Sequence, residues 1–109
     1  MKLLYLTEPQ LEGIKRAIEE EVDKSSSPDY NIDSIKYLYN PNSPQHIFIR
    51  VTTYGVTGGV PFSDVQYVCV DKSGDIDSCE NMFPDLKSRM AFIGDFREFQ
   101  IKDGVAKFI

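Results

Sequence analysis

The chain has 109 residues, with 17 acidic against 12 basic side chains, a formal charge of −5, and 41% apolar and 12% aromatic residues. That size and composition predict one α+β domain spanning 1–109, with a core of its own and no cofactor. The negative charge removes the usual electrostatic basis of nucleic-acid binding, and no apolar run approaches the ~20 residues of a membrane-spanning helix, so neither nucleic acid nor a membrane is expected as a partner.

The N-terminal Met1 to Leu6 is shorter than the core of a signal peptide, which together with the composition points to a cytoplasmic protein. A helix start follows at Thr7. Thr7-Glu8-Pro9-Gln10 reads as a capping box, with Leu6 and Leu11 forming a hydrophobic staple across it. Through Lys24, the residues Leu11, Ile14, Ile18 and Val22 recur at helical spacing and define the face that meets a core. The opposite face offers the pairs Glu12 with Arg16, Lys15 with Glu19, and Glu20 with Lys24 at four-residue spacing.

Ser25 to Pro28 ends the helix. A strand is predicted from Ile35 to Tyr39, a turn at Asn40-Pro41-Asn42-Ser43-Pro44, and a second strand from His46 to Tyr54. With Asn40 opposite His46, Ile35, Tyr37 and Tyr39 share a core face with Ile47, Ile49 and Val51. The same register places Lys36, Leu38, His46, Phe48 and Arg50 on the other face, a mixture too apolar for ordinary surface and too charged for full burial.

Gly55 to Pro61 reads as a glycine-rich loop. A third strand from Val65 to Val70 then meets the turn Asp71 to Asp75, with Ile76 to Cys79 as its return. Pro84 to Phe92 is predicted as a short second helix stopped by Gly94. Asp103-Gly104 favours a type I′ turn that pairs Ile101 with Ala106 and Phe99 with Phe108. The expected order is β-α-β-β-β-β-α-β-β, a mainly antiparallel sheet of about five to seven strands with the long N-terminal helix packed on one face.

Particular residues bear on several chemistries. His46 with Cys69 or Cys79 is the sole candidate for a nucleophile and base, but no local motif supports it, and no G-x-S-x-G, H-E-x-x-H or P-loop pattern occurs. The two cysteines are too few for a secreted disulfide scaffold and are expected as thiols; because they flank a hairpin turn, a cross-strand disulfide stays geometrically open. Asp71, Ser73, Asp75 and Asp77 alternate like the start of a calcium loop, but Ile76 stands where glycine is required and Met82 where a bidentate glutamate is required. No metal site is expected.

What remains is recognition. The expectation is a non-enzymatic protein-interaction module, a small regulatory or inhibitory protein, that binds a protein partner or a second copy of itself through Leu38, Phe48, Arg50 and Tyr54. The alternative is a small anionic ligand held by the backbone amides of Gly55, Gly58 and Gly59 together with Lys36, His46 and Arg50.

Overall fold

Asn40 explains how the chain makes its first reversal. Its buried Oδ1 accepts the Asn42 amide at 2.9 Å, while its carbonyl accepts the Ser43 amide at 3.0 Å. This is the side-chain turn chemistry that asparagine favours. It directs β2 (Tyr30–Tyr39) into β3 (His46–Thr57) with Tyr37 opposite Ile49 and Leu38 opposite Phe48, the register expected from Asn40 facing His46.

This computed structural model describes residues 3–24, 30–78 and 94–109, with Tyr30, Asp77 and Ser78 described by their backbone alone. The other elements are β1 (Leu3–Leu4), α1 (Glu8–Lys24), β4 (Val60–Asp71), β5 (Ile76–Ser78), β6 (Arg97–Lys102) and β7 (Val105–Phe108). The strands form one antiparallel sheet in the order β1-β7-β6-β2-β3-β4-β5, and α1 packs against it. The helix predicted for Pro84 to Phe92, and Cys79, lie outside the described residues. Among the described residues no helix is long and apolar enough to cross a membrane.

Three strands are longer than the sequence reading has them. β2 begins at Tyr30 and takes a bulge between Ile32 and Ser34, while β3 and β4 continue to Thr57 and from Val60. The predicted loop at Gly55 to Pro61 is therefore mostly strand. Its reversal needs only Gly58 and Gly59, both at positive φ as a two-residue hairpin turn requires. The Asp103-Gly104 turn forms as expected and pairs Ile101 with Ala106 and Phe99 with Phe108.

The helix is capped by Thr7, whose Oγ1 accepts the Gln10 amide at 3.1 Å and donates to the Lys72 carbonyl at 2.7 Å. The reciprocal half of the capping box is replaced by a tertiary bond. The Gln10 side chain is buried and donates to the Val70 carbonyl instead, at 3.4 Å. The buried stripe runs through Gln10, Gly13, Ile14, Ala17 and Glu21, so Val22 is left 52% exposed. Small residues explain this rotation: Gly13 and Ala17 let the helix backbone approach the sheet where larger side chains would hold it away.

A Cβ at Gly13 would stand 2.5 Å from the Gly74 carbonyl oxygen, and one at Gly74 would collide with the Pro9 carbonyl. Arg16 donates to that same Gly74 carbonyl at 3.0 Å rather than pairing with Glu12. The only ion pair among the described residues joins Lys24 and Glu21, at 3.4 Å.

The main core gathers Ile14 and Ala17 of the helix with Ile47, Ile49, Val51, Val68, Val70, Phe99 and Ala106. Tyr37 packs on its margin, with its ring 5.8 Å from that of Phe99. Burial raises its phenol pKa above the ordinary 10.0. On the opposite face Leu38, Phe48 and Cys69 form a second, smaller core, against which Tyr67 and Phe96 pack. Phe48 has no exposed surface and Leu38 only 4%. Their predicted exposure as a recognition surface is overturned, because both are buried in this second core, where the Phe96 ring lies 5.0 Å from that of Phe48.

Three stability effects follow from this packing. Gly74→Ala should cost more than ~2 kcal/mol, because φ of 86° and the Pro9 carbonyl both oppose a Cβ. Gly59→Ala, with φ of 80° and nothing within 4 Å of its Cβ, should lose only the conformational part; denaturant midpoints compare the two. Phe48→Ala should cost ~3–5 kcal/mol as a buried aromatic truncation, and a midpoint close to wild type would show that the second core does not form. Because the folded chain holds the Tyr37 proton more tightly than the unfolded chain, its contribution is complete below pH ~10 and is lost as pH rises above that value. Tyr37→Phe should therefore flatten the decline of stability above pH 10, as read from urea titrations across that range.

Candidate functional site

Strand alternation decides which side chains share the face opposite the helix. On β3 these are Phe48, Arg50, Thr52, Tyr54 and Val56, with Cys69, Tyr67, Val65, Ser63 and Pro61 opposite them on β4. Lys36 and Leu38 of β2 complete the rows beside Arg50 and Phe48.

Two regions of different character result. Near the Asn40 turn the face is dry and aromatic: Tyr67 stacks on Phe96 at 5.7 Å, and His46 lies 6.2 Å from Phe48. Toward the Gly58-Gly59 turn it opens to water. Tyr54 is 50% exposed, Val56 51% and Val65 49%, while Val60 at the tip is 66% exposed. The residues from Val51 to Ser63 carry no charge, in a chain of which 27% is charged. The distal β3–β4 ribbon is thus an uncharged projection bearing exposed aliphatic and aromatic side chains.

Between the two regions lie Lys36 and Arg50, directly opposite one another on adjacent strands and each half-buried. Neither side chain makes an ion pair or hydrogen bond with a described residue. Of the four predicted recognition residues, Arg50 and Tyr54 are accessible, whereas Leu38 and Phe48 belong to the second core. Val56, Val60 and Val65 were missed because the sequence reading places the first two in a loop and treats the third as the start of a strand. The uncharged run from Val51 to Ser63 was the signal that marks Val56 and Val60; Val65 lies just beyond it, after Asp64.

The anion-binding alternative does not assemble. Gly55 is a buried strand residue opposite Phe62, and Gly58 and Gly59 form the ribbon tip, eight residues or more from Arg50 and hence about 26 Å away at strand rise. His46 is four residues from Arg50, about 13 Å along the strand. Its Nδ1 shares a hydrogen with Ser43 Oγ at 2.9 Å. Only Lys36 and Arg50 remain together.

Cys69 and the Asp71 turn bear on the catalytic and metal alternatives, while Cys79 and the side chain of Asp77 lie outside the described residues. Cys69 is buried beside Phe48 in the second core, away from any solvent-borne substrate. The Asp71 carboxylate accepts the Ser73 and Asp75 amides, each at 2.9 Å, and so serves the hairpin turn. Among the described residues no group of three or more potential ligands could hold a metal. A cleft of about 360 Å³ opens where β2 and β6 part beyond Tyr37 and Phe99, but it is shallow and brings only Lys36, Glu98 and Lys102 as charged groups.

Comparison with known proteins adds no assignment to this geometry: no family model, no curated protein and no solved structure matches the chain.

Proposed function

We propose that this protein is a non-enzymatic protein-recognition module that docks through the distal β3–β4 ribbon, with Tyr54, Val56, Val60 and Val65 as its apolar contacts. One observation carries the reading: the uncharged ribbon end keeps Tyr54, Val56 and Val60 about half exposed or more, with Val65 half exposed just past Asp64, in an otherwise strongly charged chain. Apolar surface left in water forfeits ~25 cal/mol per Å², so such a patch favours a complex that covers it. Tyr54 and Arg50, on the same face of β3, belong to the residue types that dominate binding energy in protein interfaces.

The shape suits a concave partner. Among the described residues, the projection beyond Gly55, where β2 ends its pairing, is two strands wide. A two-stranded ribbon with apolar side chains on both faces gains order as well as burial when it enters a cleft of another protein. This is the behaviour of a small regulatory or inhibitory protein.

The test compares tagged wild-type protein with Val56→Glu and Val60→Glu, purified from the cells of origin and analysed by quantitative mass spectrometry. Both positions are exposed, so the variants should keep the wild-type thermal midpoint within a few degrees while the proteins retained by the wild type are lost. Equal retention by the variants would overturn the ribbon as the docking surface. A wild-type dimer that Val56→Glu dissociates in sedimentation equilibrium would replace the hetero-partner with a second copy of this chain.

A further inference from the structure

We infer that Lys36 and Arg50 form a carboxylate-binding doublet that receives an acidic side chain of the protein segment docked along the ribbon, an inference that rests on the ribbon being the docking surface. The register sets the two residues opposite one another on β2 and β3, which brings their Cβ atoms to about 4.5–5.5 Å. Like charges so placed repel one another and destabilise the sheet. In a protein of charge −5, an internal acid would be the simple remedy.

None of the described neighbours supplies it within ion-pair distance. Glu98 is on the adjacent row, opposite Leu38, and is not within ion-pair distance of Lys36. On the other flank of Arg50 the register places Tyr67, a neutral phenol whose ring is stacked on Phe96. Along β3 the next residue on this face is Thr52, also neutral. The doublet therefore presents two cations, partly withdrawn from water, that form no ion pair among the described residues, Glu98 in the same shallow cleft lying beyond pairing distance of Lys36; an added anion is bound more strongly there than at a fully exposed site.

The chemistry of the two groups selects a carboxylate. The planar guanidinium of Arg50 offers two parallel N–H donors to the two oxygens of one carboxylate, and the Lys36 ammonium supplies a second point of charge. A free phosphate would be held by little else, since no backbone amides converge here and the glycine turn is about 26 Å away. An acidic side chain arrives already attached to a segment that covers Tyr54 and Val65, so its apolar contacts and its ion pair reinforce one another.

The probes are an acetylated hexapeptide of alternating Val and Glu, its Val-Gln counterpart, and inorganic phosphate, each titrated into 15N-labelled protein. The Glu peptide should shift the amides around Lys36, Arg50 and Tyr54, with a Kd at least tenfold tighter than that of the Gln peptide. Arg50→Gln should abolish this preference, with Lys36→Gln as the second variant should the first unfold. Equal Kd for the two peptides, or an undiminished preference in both variants, overturns the doublet. Phosphate that matches the Glu peptide in Kd and in the amides shifted overturns the acidic segment in favour of a free anion. Loss of the peptide preference while ribbon-dependent partner capture persists removes the doublet alone, whereas loss of that capture removes the docking surface beneath it.

Discussion

The register of β3 against its two neighbours is the constraint on which the rest of the structure depends. Every residue from His46 to Thr57 has a partner on β4, and the strand separates two dissimilar faces. A slip of one residue would turn Phe48 and Arg50 toward the helix and Ile47, Ile49 and Val51 away from it. Three turns oppose such a slip. Asn40 fixes the entry from β2, Gly58 and Gly59 fix the reversal into β4, and the Asp71 carboxylate fixes the next reversal by accepting two amides. Because that last turn also carries Gly74, which touches Pro9, the sheet register and the seat of the helix are coupled at one place.

Much of this was legible in the sequence, for a local reason. Asn40-Pro41-Asn42 and Asp103-Gly104 state their turns through side-chain and backbone chemistry that acts within a few residues, and period-two alternation then assigns the faces. What the pattern could not state is what covers a face. Phe48 reads as exposed because its same-face neighbours on the strand, His46 and Arg50, are polar, and Phe96, which packs against it, belongs to no periodic element. The helix stripe was rotated for a related reason. Hydrophobic periodicity weights Leu11 and Val22 by size, whereas the tight seat on the sheet was set by Gly13 and Ala17, which contribute by being small.

The glycine-rich segment shows the reverse error. Counting Gly55, Gly58 and Gly59 together suggests a flexible loop, yet only two of them turn the chain, and the third is a strand residue whose lack of a side chain leaves the pairing intact. The same misreading concealed the ribbon. Once β3 and β4 run to the tip, the strand passes from a half sealed on both faces, at Ile47 to Ile49, to a half in which Tyr54 and Val56 meet water. Folding is secured at one end of the hairpin, which leaves the composition of the other end free for the recognition proposed above.

Charge is distributed along the same division. Helix α1 carries six acidic and three basic side chains and lies on the face opposite the Lys36–Arg50 row. At physiological ionic strength the screening length is ~8 Å, comparable with the separation of ~10 Å between packed layers of secondary structure. The negative potential of the helix is therefore much attenuated where the two cations stand. The acidic segment proposed above would be repelled on the helix side and attracted on the other, and the uncharged ribbon end adds no field of its own to blur that choice. Electrostatics would thus orient the encounter while the apolar side chains of the ribbon supply most of the affinity. Such a division of labour makes association more sensitive to salt than dissociation, since screening acts on the approach and the buried apolar surface governs the escape.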